Sequence, residues 1–429
     1  MARLQEEGAW SSDLWKGLLR GWQNSVLKEE QWKEILTFLK AHAELYVFAY
    51  EISELLKEGI TKPQTGFPSS CLSLAEDIAE RLWTVCDEET ADEELPDDSW
   101  FGSIMVVAAA NIVEFWLYSL SRRQAEAGES WNDISKGYKD LFQRILDSES
   151  AASQTGSAIL AGRLRFLFAL DANWARERIL PLLDWSIHPR RAQRAWQGFL
   201  TWGQCNEALL LDLLPLYEET FPHIRSKSAE FRKGFSKHLA SIAVYSSSNS
   251  VAEAWLREFL KAVDAEDRKT WASIVGRHLT FLKEDAIRNV WDSWMSAYWD
   301  ERITGVPVPL DEGELEEMVQ WLAYLGPAFP AAVDKIRRSS PPSLEHPGLF
   351  YEALIENRYA TRYPKALAKL LNHLLLEAHK PFWHCGEIEA LFRDLAECSM
   401  EHDELEQICQ ELARLDCPNA ENLSKILNS

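Results

Sequence analysis

The stretches "IEALFRDLAEC" (residues 388–398) and "LEQICQELARL" (residues 405–415) show the periodicity that decides the fold. In each stretch the apolar residues fall at offsets 0, 3, 4, 7 and 10, which places them on one face of an α-helix. The stripes consist of Ile388, Leu391, Phe392, Leu395 and Cys398, and of Leu405, Ile408, Cys409, Leu412 and Leu415. Together they predict a pair of antiparallel helices.

The same helical periodicity continues through the rest of the chain, without the alternation that is typical of β-strands. It predicts helices near residues 11–24, 29–58, 71–86, 100–124, 133–147, 157–168, 173–184, 190–202, 205–219, 226–246, 251–262, 266–282, 284–300, 311–325, 347–356 and 364–379. Short helices joined by short turns favour helix pairs that stack on neighbouring pairs. The predicted fold class is therefore all-α, an irregular HEAT-like helical-repeat array (α-solenoid) without a strict period.

Two breaks interrupt the helical pattern of a chain whose 429 residues exceed the usual size of one hydrophobic core. Charge, Ser and Pro accumulate in "CDEETADEELPDD" (residues 86–98) and in "RRSSPPSLEHPG" (residues 337–348). These breaks predict an N-terminal helical region, a central helical array and a C-terminal helical region at 1–86, 99–338 and 346–429. The acidic break lacks the spacing of a calcium loop, so we expect a solvated loop without metal.

The net charge of −22 repels nucleic-acid phosphates and anionic membrane surfaces, so we expect neither as a partner. The apolar run Phe101–Ser121 is long enough to cross a membrane but carries Asn111 and Glu114, which are costly in lipid. It predicts a buried helix. The first residues lack the apolar core of a signal peptide and the seven cysteines form no regular framework, so we expect a reducing cytoplasm.

The chain lacks the sequence signatures that would identify a catalytic or cofactor site. The patterns GxxxxGK followed by Ser or Thr, GxGxxG, GxSxG and HExxH do not occur. The glycines of "GSAILAGR" (residues 156–163) lie in a helical pattern and indicate close helix packing instead of phosphate binding. We therefore predict no enzymatic activity, no catalytic residues and no cofactor.

Thiol and imidazole side chains crowd the C-terminal region and form a candidate zinc site, with His384, Cys385, Cys398, His402, Cys409 and Cys417. Structural zinc sites usually bring their ligands in close pairs such as CxxC, and that spacing is missing. Cys398 and Cys409 lie on the apolar stripes and fit the role of small core residues. We therefore predict no metal.

The stretch "WSIHPRRAQRAWQGFLTWG" (residues 185–203) places arginines among tryptophans in a helix that begins near Pro189. A helical wheel puts Trp196 and Trp202 on one apolar face. It puts the charged residues on the solvent face or at its flank, and these are Arg190, Arg191 and Arg194. Rings and guanidinium groups on separate faces are not typical of a base-stacking platform.

Positive charge in a first helical turn opposes the helix dipole, so acidic groups should compensate these arginines. One alternative is an Asp or Glu on a neighbouring helix, and the other is the acidic surface of a protein partner. On the second alternative Arg190, Arg191 and Arg194 are candidate protein-binding residues.

Several tryptophan-rich stretches resemble a known family. They are "NIVEFWLYSLSRR", "FLFALDANWARERILPLLDWS", "WQGFLTWG", "AWLREFLKAVDAEDRKTWASIVGRHL" and "GVPVPLDEGELEEMVQWLAYLGPAFPAAV". Across residues 100–340 they resemble the helical domain of unknown function at the C-terminus of sirtuin-like bacterial anti-phage defence proteins. There the sirtuin-like part degrades NAD, and the helical part is thought to sense an infection signal or hold the assembly together. No sirtuin-like Asn and His pair is matched here, so NAD hydrolysis is not implied.

The resemblance implies a non-catalytic protein-recognition or scaffold module, the sensing part of a bacterial anti-phage defence system. Its partner would be a phage protein or a sirtuin-like effector region, and the oligomeric state is open. The alternatives are an enzyme with an undetected active site and a purely structural subunit of a larger assembly. An apolar groove with exposed aromatic side chains favours recognition, whereas titratable groups that converge in a closed pocket favour catalysis.

Overall fold

The structure is a computed structural model that describes residues 12–62, 66–88, 100, 102, 104, 107–131, 133–246, 249–342, 344, 347–380, 382–398 and 402–427. The described residues form helices and no strand, which confirms the all-α prediction. Contacts divide the chain into two compact units, Met1–Glu219 and Thr220–Ser429. The division into regions 1–86, 99–338 and 346–429 stays a prediction, and residues 89–98 of the acidic break lie outside the described residues.

The first unit is built from short α-helices. They are Ser12–Gln23, Glu29–Ala41, Ala49–Thr61, Leu72–Glu88, Ala108–Ala127, Lys136–Asp147, Ala151–Gly162, Leu164–Leu170, Ala172–Arg178, Pro189–Trp202 and Glu207–Thr220. A helix packs mainly against one further along the chain: Ala49–Thr61 against Ala108–Ala127, and Ala151–Gly162 against Pro189–Trp202. This order of packing is typical of a solenoid-like helical array.

The second unit continues in the same style. Its α-helices are Ala229–Tyr245, Asn249–Ala262, Ala265–Leu279, Glu284–Val290, Ser296–Ile303, Glu312–Trp321, Phe329–Ile336, Pro347–Glu356, Tyr359–Arg362, Pro364–Leu375, Cys385–Glu397, His402–Arg414 and Ala420–Leu427. Ala265–Leu279 packs against both Ala229–Tyr245 and Glu312–Trp321, and Pro364–Leu375 packs against His402–Arg414.

The two C-terminal stripes are buried as their spacing predicts. Helices Cys385–Glu397 and His402–Arg414 contact each other. Apart from the partly exposed Cys398, the side chains of both stripes are buried. Apolar periodicity of this strength is therefore sufficient to identify the core face of a helix.

The single helix predicted over residues 29–58 is wrong. The chain forms helix Glu29–Ala41, the 3₁₀-helix Ala43–Phe48 and helix Ala49–Thr61 instead. The break lies at His42, whose backbone leaves the helical region and whose Nδ1 lies 2.9 Å from the carbonyl oxygen of Phe38. A side chain that bonds to the last turn helps to end a helix without the Gly or Pro that sequence patterns register.

The apolar run Phe101–Ser121 contributes to the buried helix Ala108–Ala127, as its polar residues predict. Asn111 is buried and its Nδ2 lies 3.4 Å from the Oγ of Ser53. The carboxylate of Glu114 forms ion pairs with Lys57 and Arg163. No helix among the described residues is long and apolar enough to cross a membrane.

Glycines set the close approach of helices Ala151–Gly162 and Pro189–Trp202. A Cβ added at Gly198 would overlap the carbonyl oxygen of Ala158, and one added at Gly162 would lie 2.8 Å from a ring atom of Trp202. Only glycine permits such backbone contact. The close packing predicted from "GSAILAGR" is confirmed.

A fully buried ion pair joins two helices of the second unit. The guanidinium of Arg302 donates to both carboxylate oxygens of Glu314, at 2.6 and 2.7 Å. The hydroxyl of Tyr298 donates to the same carboxylate at 2.8 Å, and the Nε of Arg268 donates to it at 3.2 Å. Both oxygens of Glu314 are thus satisfied inside the protein, which a buried charge requires.

The same arginine also holds the segment that connects the two helices. Its Nη1 donates to the carbonyl oxygens of Val306 and Val308, at 2.9 and 2.7 Å. The ion pair lies within an aromatic cluster that consists of Trp271, Trp294, Tyr298, Trp299 and Trp321. One side chain therefore orders helix Ser296–Ile303, the following loop and helix Glu312–Trp321.

We expect Arg302→Met to lower the free energy of unfolding by about 3–5 kcal/mol, because it leaves the Glu314 charge buried with fewer donors. Urea denaturation of the full chain measures this loss. The control is Lys261→Met, which removes an exposed ion pair with Glu258 and should change the value by less than about 1 kcal/mol. Equal losses in the two variants would show that the buried pair does not anchor the unit.

Candidate functional site

The three candidate arginines differ in exposure, although they share helix Pro189–Trp202. Arg190 is exposed, Arg191 is half-buried and Arg194 is only 6% exposed. The prediction that Arg194 lies on a solvent face is therefore wrong. The prediction for Trp196 is confirmed because it is fully buried, whereas Trp202 is partly exposed.

Arg194 is buried because its helix packs on more than one side. Its guanidinium lies 4.4 Å from the ring centroid of Trp100, within the range of a cation–π interaction. Trp100 belongs to a buried cluster with Ile104 and Ala158. The wheel assumed one buried face, whereas the glycine-mediated contact with helix Ala151–Gly162 also covers part of the polar face.

Arg191 uses its guanidinium inside the chain. Its Nη2 donates to the carbonyl oxygen of Leu146 and, at 3.1 Å, to the Oγ of Ser157. Burial lowers the pKa of Arg191, and the charges of Asp147 and Glu149 oppose that shift. The first alternative for the arginines, an acidic group on a neighbouring segment, thus accounts for part of the charge of Arg191.

Arg190 and Arg191 line an open groove of about 320 Å³. The groove residues are Ser148, Glu149, Gln154, His188, Pro189, Arg190 and Arg191. A second cavity of about 210 Å³ shares His188 and Arg191 with it. We call the first cavity the arginine groove. Its lining includes two arginines and one carboxylate, and its role in protein binding stays a prediction.

A third cavity, lined mainly by aromatic rings and other apolar groups, lies in the second unit. It has a volume of about 230 Å³ and is lined by Pro342, Leu344, Pro347, Tyr351, Leu374, Ala378, His379, Phe382, Trp383 and His384. We call it the aromatic pocket. Trp383 is 80% exposed. Leu349 and Leu376, which lie within two residues of lining residues in the sequence, are also exposed. A tryptophan at this exposure presents a large apolar surface to solvent.

Rings that contact one another form the wall of the aromatic pocket. The ring centroids of Phe382 and His384 lie 6.0 Å apart in an edge-to-face arrangement, and those of Tyr351 and His384 lie 6.2 Å apart. Burial raises the pKa of Tyr351, and the charge of Glu387 adds to this effect. The phenol is therefore neutral at neutral pH, and among the described residues the lining side chains include two imidazoles but neither a carboxylate nor an ammonium group.

The cysteines considered as zinc ligands have other contacts. Cys385, which follows His384, forms a disulfide with Cys417. Cys409 is buried on its stripe, and the Sγ of Cys398 donates to the carbonyl oxygen of Ala360 at 3.6 Å. The side chain of His402 lies outside the described residues. The disulfide was not predicted, because sequence clustering alone does not show which thiols meet.

One set of side chains resembles the nucleophile and base of a hydrolase. The Oγ of Ser241 lies 3.0 Å from Nε2 of His278, and the hydroxyl of Tyr245 lies 3.3 Å from Nδ1. Burial lowers the pKa of His278, as do the charges of Arg277 and Lys237. A neutral imidazole could accept a proton from Ser241, so this triplet is the best catalytic candidate among the described residues.

Two features of the surroundings argue against catalysis at this triplet. Ser241 lies inside helix Ala229–Tyr245, where backbone N–H groups are used within the helix, so they cannot stabilise an oxyanion. The neighbouring cavity of about 450 Å³ is lined by Tyr245 but not by Ser241 or His278. In the described part of the chain, the triplet is thus not seen beside an oxyanion hole or a substrate pocket, the two parts that acyl transfer requires.

Comparisons with known proteins identify a domain but not a function. Residues 244–412 match the family described as a domain of unknown function (DUF4020). No curated protein matches the chain significantly. The crystal structure of an engineered protein has a TM-score of 0.33 and 13% sequence identity, covering 96% of this chain and 98% of that chain. A likeness at that level carries no structural argument.

The matched domain supports the predicted resemblance in its general form. A domain of unknown function is present, but its bounds are 244–412 and not 100–340. The match contains the Arg302–Glu314 pair and every lining residue of the aromatic pocket. The link to sirtuin-like defence proteins stays a prediction.

Sequence reasoning missed the aromatic pocket. The signal was present in "KPFWHC" (residues 380–385), where adjacent aromatic residues follow a helix and belong to no apolar stripe. The helical pattern predicts no buried position for large apolar side chains that lie outside a stripe. Such a cluster can indicate a surface site.

We expect Arg194→Glu and Arg190→Glu to differ sharply in stability. The first change places a carboxylate against Trp100 in a buried cluster and should lower the free energy of unfolding by about 3 kcal/mol or more. A third variant, Trp196→Ala, creates a cavity and should lower it by about 3–5 kcal/mol. The second change is exposed and should lie within about 0.5 kcal/mol of the wild type. Chemical denaturation of the three variants measures the difference. A stable Arg194→Glu variant would contradict the buried cation–π contact.

Proposed function

We propose that this protein is a non-catalytic recognition module that binds a protein partner through the aromatic pocket. The observation that carries the proposal is Trp383, a tryptophan that is 80% exposed beside a cavity of about 230 Å³. Tryptophan is the residue type most enriched at the energetic centres of protein interfaces. The cavity next to it can receive one apolar side chain of the partner.

The composition of the pocket defines the partner. Among the described residues the lining carries aromatic rings, proline and leucine beside the imidazoles of His379 and His384, so we propose that the inserted side chain is apolar over most of its surface. The chain as a whole has a net charge of −22, which attracts a partner with basic residues around that anchor. We therefore assign the pocket a partner surface with an apolar anchor and a basic rim.

The arginine groove is a second candidate contact on the first unit. Arg190 is exposed there, and Arg191 lines the groove with part of its charge already compensated. The exposed Arg190 is the residue that an acidic group of a partner would contact there. Arg194 no longer belongs to this proposed surface because it is buried.

The resemblance to the helical part of sirtuin-like defence proteins supplies the biological setting of the proposal. In that setting the module senses a phage protein or contacts a sirtuin-like effector region. The matched DUF4020 domain is compatible with this role but carries no function of its own. A purely structural subunit is the alternative, and a partner that depends on Trp383 distinguishes the two.

Catalysis is the less favoured function, because charged groups that converge are used within the chain. Glu314 is enclosed by Arg302, Tyr298 and Arg268, and the described residues show no oxyanion hole beside Ser241. We expect the purified chain to release no nicotinamide from NAD and to hydrolyse no p-nitrophenyl acetate beyond background. Either turnover, if abolished by Ser241→Ala while the fold is retained, would contradict a non-catalytic role.

Substitution of Trp383 tests the recognition proposal. We expect Trp383→Ser to reduce the recovery of co-purifying proteins by at least about tenfold, because an interface tryptophan often contributes 2 kcal/mol or more to binding, roughly a thirtyfold change in Kd. Full-length variants are expressed in the native host, and the proteins recovered are quantified before and after phage infection at two salt concentrations.

Phe281→Ser is the matched control, since Phe281 is also 80% exposed but does not line the aromatic pocket. Both variants should melt close to the wild type. Recovery that falls equally with Phe281→Ser, or that does not fall with Trp383→Ser, would remove the pocket from the proposed function.

A further inference from the structure

The Cys385–Cys417 disulfide lies directly beside the aromatic pocket. Cys385 follows His384, a lining residue, and begins helix Cys385–Glu397. Cys417 lies in the turn before helix Ala420–Leu427. The two Cα atoms are 5.5 Å apart although 32 residues separate them in sequence. The bond therefore ties one edge of the pocket to the last helix of the chain.

We propose that this disulfide is a redox-controlled clasp, which holds the aromatic pocket in its binding shape when oxidised and releases it when reduced. The consequence for partner binding rests on the proposed function. The structural part of the proposal concerns this chain alone and can be tested without a partner.

Side-chain hydrogen bonds contribute little at the entry to helix Cys385–Glu397. The residue before the helix, His384, makes no side-chain hydrogen bond to the first turn. Its Nδ1 lies 3.8 Å from the carboxylate of Glu387, which is longer than a hydrogen bond. A helix start without a side-chain cap frays more easily, so the covalent bond at Cys385 supplements the ring contacts that His384 makes with Tyr351 and Phe382.

At the other end of the bond, backbone hydrogen bonds of Cys417 and the buried side chains of Ala420 and Leu423 hold the chain, whereas polar side-chain contacts add little. Asp416 forms an exposed ion pair with Lys380 at 2.5 Å, and Asn419 donates to the carboxylate of Glu389 at 2.9 Å. Exposed ion pairs contribute little to stability. Helix Ala420–Leu427 has eight residues, too few for a stable helix without tertiary contacts. Loss of the bond should loosen this helix.

The preceding helix has an anchor of its own and should stay in place. Arg414 donates from Nη2 to the carbonyl oxygen of Leu375 at 2.6 Å, which joins the end of helix His402–Arg414 to the end of helix Pro364–Leu375. The clasp therefore acts locally, on the residues around Trp383 and on the segment that begins at Cys417.

The reaction needs a dithiol reductant and transfers two electrons. One thiolate of the dithiol attacks Sγ of Cys385, which is more exposed than Cys417, and the S–S bond breaks as Cys417 leaves and takes a proton. The second thiol of the reductant then attacks the mixed disulfide and releases Cys385 as a thiol. The protein ends with two thiols, and the reductant ends as a disulfide.

The neighbouring cysteines do not offer an easy route for exchange. Cys409 is buried, and burial together with the charge of Glu406 raises its pKa to about 11. At neutral pH it is a protonated thiol and a poor nucleophile. The reduced pair can therefore reform the original bond on oxidation.

Hydrogen exchange of the full chain, followed by mass spectrometry, tests the clasp. It is measured for the oxidised protein, for the protein reduced with dithiothreitol, and for the variant Cys385→Ser/Cys417→Ser. We expect exchange to accelerate by about tenfold or more in peptides that cover residues 382–388 and 417–427. Peptides from helix Ala265–Leu279 should keep their rates, and Cys409→Ser should behave like the wild type in both redox states.

Three results would overturn the clasp. The first is the absence of a Cys385–Cys417 cross-linked peptide in the oxidised protein, and the second is unchanged hydrogen exchange around Trp383 after reduction. The third is faster exchange throughout the second unit, which would show that the bond stabilises the whole unit and not the pocket alone. For the regulatory part, dithiothreitol should reduce partner recovery severalfold for the wild type, and unchanged recovery would overturn it. Failure of the proposed function is separate, since it shows as full recovery with Trp383→Ser.

Discussion

The second unit depends on the neutralisation of one buried carboxylate. Glu314 has no exposed surface, and its charge is tolerable there because Arg302, Tyr298 and Arg268 donate to it. Arg302 also donates to carbonyl oxygens of the loop that connects its helix to the helix of Glu314. The tryptophan rings around the pair exclude water, which strengthens these hydrogen bonds and also makes the loss of any one donor expensive. The charge network and the aromatic cluster of Trp271, Trp294, Trp299 and Trp321 therefore stabilise the same part of the unit.

The first unit is constrained by backbone approach instead. Gly198 lets helix Pro189–Trp202 come so close to Ala158 that the flank of the helix, and not just its apolar stripe, is covered. Arg194 then finds its favourable environment over the ring of Trp100. Burial on several sides is a general property of an array of short helices, since a helix that contacts both earlier and later neighbours has little solvent-facing surface left. A charged residue in such a helix is therefore weak evidence for a binding surface unless it also lies at an exposed end, as Arg190 does.

The sequence predicted what depends on local periodicity and missed what depends on distant pairing. The stripes at 388–398 and 405–415, the buried helix of the run 101–121 and the close packing around Gly162 all follow from spacing or residue size within one segment. The break at His42 depends on one side-chain hydrogen bond, which no pattern registers. The burial of Arg194 and the Cys385–Cys417 bond each need a partner far along the chain. Cys385 and Cys417 could be recognised as reactive residue types but not as a pair, and Trp383 could be recognised as unusual only once the core was known.

The distribution of polar contacts is a physical reason to prefer the proposed recognition function to a catalytic one. Glu76 illustrates the pattern in the first unit. Burial raises its pKa, but hydrogen bonds from Arg123, Ser119 and Tyr138 outweigh that effect, so the carboxylate stays ionised as a structural acceptor. Glu314 plays the same part in the second unit. General acid–base catalysis requires a titratable group that faces a cavity and can exchange a proton with a substrate. These two carboxylates instead accept hydrogen bonds from neighbouring helices. Trp383 differs from these carboxylates because its ring is exposed and lies next to a cavity and a disulfide. A second molecule can therefore bury the apolar surface of this ring.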